Sequence, residues 1–160
     1  MRIWLELLHD YRRLVADVTA ASLRGEVAFP ERRRVLGLGD ALGEVPPWCE
    51  PFGTPSPLPA LRGAEAWLTA GGGFVGAEVR RASGGGLVLG CALRPLPGER
   101  VLVRVDEAGE TFVFPARVAW TRDGRYGAVG VVFDGAPARE PAAPRWGTLR
   151  PDLRRGALLA

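Results

Sequence analysis

RRASGGGLVLG, residues 80–90, sets three glycines between an arginine pair and an apolar run. A glycine-rich loop after a strand cradles a dinucleotide phosphate only where a helix follows, because the helix N-terminus supplies the N–H groups. Here LVLGC follows, and its branched and apolar residues read as a strand. The dinucleotide fingerprint is therefore set aside. Glycine takes positive φ without penalty and serine bonds its own backbone, so SGGG reads as a structural turn between two strands, with ligand binding as the alternative.

Outward from this turn the pattern has period two. EAWLT (65–69), FVGAEVRR (74–81), GGLVLGC (85–91), RVLVRVD (100–106), ETFVFPARVAWTR (110–122) and YGAVGVVF (126–133) are six strand candidates with hairpin-length connections. Short strands without intervening helices predict an antiparallel β-barrel, not a βαβ fold. Pro115 interrupts the fifth run and implies an edge position or a bulge. The segment after Phe133 reads as a linker, and the last dozen residues as a short helix.

The N-terminal part is helical in pattern. Over residues 3–20, Trp4, Leu8, Tyr11, Val15 and Val18 recur at spacings of three and four, widened by Leu7 and Leu14. Asp10, Arg12, Arg13 and Asp17 take the other side, and Gly25 can close the C-terminus. Pro30 opens a second helix, ERRRVLGLGDAL, although Gly37 and Gly39 each cost about 1 kcal/mol against alanine. Residues 1–43 thus predict a helical hairpin. An isolated helix of this length is marginal in water, so its stripe must pack on the barrel or form a homodimer. Residues 44–61 hold six prolines and read as an extended linker, with Trp48 and Phe52 available to dock. The barrel spans 62–136, and 137–160 form a basic tail.

Composition removes several function classes. The net charge is +3, and residues 136–160 account for all of it, with five arginines against two acids. The body is neutral, whereas a nucleic-acid binder shows a basic face on its folded part. Cys49 and Cys91 make no disulfide framework, and the one histidine, His9, sits in a helical pattern, so neither a histidine metal cluster nor a Ser-His-Asp triad is expected. No carboxylate pair or nucleophile–base pair stands out, so no enzyme and no metal site is expected. No apolar run reaches eighteen residues, and Glu6, His9 and Asp10 break the core a signal peptide needs, so a cytoplasmic protein without membrane insertion is expected.

Ser83 and Gly86, Leu87, Leu96-Pro97-Gly98, Val118-Ala119-Trp120, and Gly127 through Phe133 occur together in order. In this order and spacing the chain resembles the PilZ domain family over about residues 62–136. The resemblance implies a six-stranded barrel and, often, binding of cyclic di-GMP. In that family an Arg-x-x-x-Arg segment before the first strand clamps the phosphates and stacks on guanine, and an Asp/Asn-x-Ser-x-x-Gly motif reads the base. This chain departs from both. The segment just before the first strand, TPSPLPALRGAEAW, holds only Arg62, and the Arg-x-x-x-Arg of Arg150 to Arg154 lies near the C-terminus. Arg81 stands where the family has Asp or Asn, and a guanidinium cannot accept a hydrogen bond from guanine. The resemblance with these departures implies a non-catalytic adaptor in bacterial signalling or motility, with no cofactor and with another protein as partner. Its candidate partner surfaces are the helix bearing Trp4, the linker bearing Trp48, and Arg150 and Arg154. The alternative is a cyclic di-GMP receptor with a degenerate site built from Arg80, Arg81, Ser83, Gly86 or the tail arginines. Most of Trp4, Trp48, Trp67 and Trp120 are expected in the core.

Overall fold

A computed structural model describes residues 1–26, 29–42, 58–70, 72–124 and 127–142. Two helices, α1 (Arg2–Leu23) and α2 (Phe29–Leu42), precede a short 3-10 turn at Pro59–Leu61. Seven strands follow: β1 (Glu65–Ala70), β2 (Gly73–Ala82), β3 (Gly86–Cys91), β4 (Arg100–Glu107), β5 (Glu110–Arg122), β6 (Ala128–Phe133) and β7 (Ala138–Pro141). The first six pair antiparallel in the order β4-β1-β2-β3-β6-β5, and β4 pairs with β5 to close the ring. The fold is a closed six-stranded antiparallel barrel with an N-terminal helical extension.

Alternation explains the barrel wall. Val101, Val103 and Val105 point inward from β4, as do Phe112, Phe114, Ala116 and Val118 from β5, and all are buried. Pro115 does not break β5. One side of that strand pairs throughout with β4, where Leu102 lies opposite Pro115. The other side is covered by β7 at residues 110–113 and by β6 from residue 116. Pro115 falls in the gap between those two partners, where an absent N–H costs least. The irregularity in β5 comes later, between Val118 and Trp120.

The helices close one end of the barrel. Gly25 (φ +76°) ends α1 with paired bonds, Gly25 N–H to Ser22 O (3.1 Å) and Glu26 N–H to Ala21 O (2.9 Å). Leu5 and Leu8 reach in among Leu61, Val79, Leu87 and Phe114. Burying each leucine contributes about 2 kcal/mol. The buried arc of α1 is Leu5, Leu8, His9 and Tyr11, so it is rotated from the stripe expected from Trp4 through Val18. Trp4 remains 37% exposed. His9 sits edge-on to Phe112 (centroids 6.1 Å apart), its Nδ1 3.1 Å from Asp10 Oδ1. Arg12, expected on the polar side, is half-buried, with Nη2 donating to Phe133 O at 3.3 Å.

Two segments expected to be linker are part of the fold. Leu58 and Leu61 are buried core residues at the end of the proline-rich stretch. Residues 138–141, read as linker, form β7 on the first half of β5. All four β7 side chains are exposed, so no alternation marks the strand. Its fixed points are ionic. Arg139 Nη2 lies 3.0 Å from Glu110 Oε2, and Arg2 reaches the same oxygen at 2.8 Å, tying α1, β5 and β7 together. Glu140 pairs with Arg104 on β4 at 3.5 Å. The tryptophan expectation also fails for the described residues, because Trp67 and Trp120 lie on the outer wall.

Candidate functional site

The turn between β2 and β3 carries the family motif residues Ser83 and Gly86. The Ser83 N–H donates to Gly86 O at 3.0 Å, and its Oγ accepts from the Gly85 N–H at 3.3 Å. Two further backbone groups of the turn are held from outside it. The Gly84 N–H donates to Leu42 O at the end of α2 (2.9 Å), and Gly85 O accepts from the Phe133 N–H (3.0 Å). Just before the turn, Ala82 O accepts from the Leu58 N–H (3.3 Å). Ser83 is 2% exposed, and residues 83–89 are all buried.

The glycines serve close approach and not unusual φ. Neither Gly84 nor Gly86 has positive φ. A Cβ on Gly84 would stand 3.0 Å from Tyr11 Cε1 and 3.1 Å from Leu42 Cβ. A Cβ on Gly86 would run into the carbonyl oxygen of Val131 on β6. The loop is therefore the seat on which α1 and α2 rest.

Beside it, β2 shifts register between Val79 and Arg81. This bulge lays the Arg80 guanidinium over Gly90 and sets Arg81 opposite Val88. Both arginines are half-buried and both already hold an interaction. The other motif residues have packing roles as well. The Trp120 indole lies across Gly130, with Arg122 Cζ 5.9 Å from its ring. The Arg94 guanidinium lies over Gly127, donating to Cys91 O (2.6 Å) and Leu93 O (2.9 Å) and pairing with Asp123 (3.1 Å). In the Leu-Pro-Gly turn, Gly98 has φ +87° and donates to Val118 O at 2.7 Å. Burial pushes the Cys91 thiol up from the usual range, which disfavours the thiolate.

The structure thus brings Ser83 and Gly86 together with Tyr11 and Leu42, and sets Arg80 and Arg81 on the adjoining wall. Trp4 stands apart on α1, and Trp48, Arg150 and Arg154 lie outside the described residues. Sequence reasoning missed Tyr11 and Leu42 as the cover of the loop. It also missed an outer face on β1 and β2. There Trp67 stacks on Phe74 (centroids 4.9 Å apart, planes 3° apart) beside a cross-strand Glu65–Glu78 pair. The signal for that face was the alternation of Phe74, Gly76 and Glu78. Among the described residues, no group of three or more His, Cys, Asp or Glu could hold a metal ion. No helix among them is long and apolar enough to cross a membrane.

A closed six-stranded barrel with a short Ser-x-x-Gly turn at β2–β3, and a tryptophan of β5 laid across a glycine of β6, places the chain among small antiparallel β-barrel domains. The profile of the PilZ domain matches residues 64–143, half of the chain, and the chain belongs to the PilZ domain family. No curated protein and no solved structure matches it. PilZ domains are generally non-catalytic receptor or adaptor domains, and membership points to a cyclic di-GMP-related signalling or adaptor role.

Proposed function

We propose that this protein is a non-catalytic cytoplasmic adaptor of a bacterial signalling or motility pathway, acting through protein–protein contacts without binding cyclic di-GMP. The observation that carries the reading is the burial of the Ser83–Gly86 loop beneath Tyr11 and Leu42. A loop that seats two helices has its N–H groups committed and its surface covered. Two features of the chain support this. Arg81 offers only donors where guanine needs an acceptor. Residues 54–62 supply one arginine, Arg62, where two would be needed to clamp the phosphates. Each missing charged hydrogen bond forfeits roughly 1.5–3 kcal/mol of binding. Ile3 and Trp4, exposed on α1, offer an apolar partner contact, and any homodimer through the helices would use this side.

Calorimetric titration of the full chain tests the reading. The expected result is no heat with cyclic di-GMP at tens of micromolar, and none after Arg81→Asp. A dissociation constant below about 1 μM would overturn it. A second reading, a receptor with a degenerate site, draws on Arg80 and Arg81 lying next to each other at the β2 bulge. Binding that Arg81→Asp abolishes would favour it.

A further inference from the structure

We propose that the outer face of β1 and β2, between Trp67 and the Glu65–Glu78 pair, is a docking groove for an arginine side chain of a partner protein. The proposal rests on the adaptor reading above and names the chemistry of one partner contact.

Three successive rungs of the β1–β2 ladder build the groove. Glu65 lies directly opposite Glu78, Trp67 opposite Gly76, and Thr69 opposite Phe74. Like charges directly opposite in an antiparallel pair destabilise it. Among the described residues neither glutamate has an ion-pair partner. Both carboxylates are exposed, and the neighbouring cation on this face, the Arg80 guanidinium over Gly90 opposite Glu78, forms no ion pair with them.

The next rung supplies an aromatic wall. Gly76 has no side chain, and the Trp67 indole leans over it, so that a Cβ there would stand 3.6 Å from the ring. Phe74 is 60% exposed and lies parallel against the indole. It backs the ring one rung further from the glutamates. The groove in front contains about 680 Å³ of space, part of it open to solvent, bounded by Glu65, Trp67, Gly76, Glu78 and Gly90. Arg80 over Gly90 closes the rim toward β3. Arg104, the neighbour of Trp67 on β4, is paired with Glu140.

An indole face beside two carboxylates matches a guanidinium. The planar cation stacks on the ring and presents N–H groups in a fork to carboxylate oxygens. A lysine ammonium brings charge without the plane or the fork. A neutral side chain leaves the two glutamates repelling one another.

The test uses the full chain and blocked Gly-Gly-Arg-Gly-Gly, with lysine and citrulline peptides as counterparts. The Trp67 indole N–H signal, assigned with Trp67→Phe, is followed by NMR. The arginine peptide is expected to move it with a dissociation constant of about 1 mM or tighter, and the citrulline peptide at least about tenfold more weakly. The double variant Glu65→Gln/Glu78→Gln removes the repulsion and keeps the fold, which its denaturation midpoint checks, and it is expected to lose the response. A silent indole up to about 10 mM peptide, an equal response to citrulline, or an unchanged response in the double variant overturns the proposal. A silent indole with no cyclic di-GMP heat removes the groove and leaves the adaptor reading. Cyclic di-GMP binding removes the adaptor reading whatever the peptide does.

Discussion

Gly86→Ala is expected to destabilise the fold by about 3 kcal/mol, at the upper end of what overpacking costs. Gly86 opens β3 opposite Val132 of β6. The added methyl group would meet the Val131 carbonyl oxygen, with the carbonyl carbon at 3.1 Å and Val132 Cα at 3.2 Å. All three are backbone atoms and cannot swing aside as a side chain can. The strain must separate β3 from β6, in a barrel that has no spare edge to take it up. Gly76→Ala is the control. Its new Cβ would meet only the Trp67 ring, at an ordinary contact distance of 3.6 Å, and a change within about 0.5 kcal/mol is expected. Urea denaturation of the two variants measures both. A loss below about 1 kcal/mol for Gly86→Ala would mean that the β3–β6 approach is looser than described.

Tyr11→Ala is expected to cost about 3–4 kcal/mol, as aromatic truncations in packed cores do. Tyr11 is fully buried, wedged between the Gly84 loop and the rest of the helical layer. Its removal leaves a void lined by the loop and by Leu42, neither of which can move in without breaking the Gly84 N–H bond to Leu42 O. Trp4→Ala, on the same helix but partly exposed, is expected to cost no more than about 1 kcal/mol. Equal losses for the two would show that α1 does not sit on the loop in the way the contacts require.

The strands were legible because a closed barrel with a filled interior forces alternation, and β4 writes it plainly as Val101, Val103 and Val105. Their limits agree with the expected ones to within a residue or two. β7 left no such trace, because it pairs through its backbone while exposing every side chain. The buried face of α1 was misplaced because Trp4, Leu5, Leu7, Leu8 and Tyr11 form an apolar arc too wide for periodicity to centre. Leu58 and Leu61 were hidden among prolines, which mark irregular backbone whether or not it is buried. The outer tryptophans have a local cause. Trp67 and Trp120 each lie over a cross-strand glycine, and register must be known before that pairing can be read. The glycine turn was the hardest case. Ser-Gly-Gly-Gly reads as a structural turn with a ligand loop as the alternative, and the residues that decide between them, Tyr11 and Leu42, are far away in sequence.

Amide hydrogen exchange at Gly84 tests most directly whether this loop seats the helices and not a nucleotide. The Gly84 N–H donates to Leu42 O beneath Tyr11. Its exchange is expected to be slowed at least about a thousandfold, comparable to the β3 amides, because exposing it requires the helical layer to lift. The rate should be the same with and without cyclic di-GMP. Exchange at the rate of an open loop while β3 stays protected, or protection that appears only when cyclic di-GMP is added, would contradict the account.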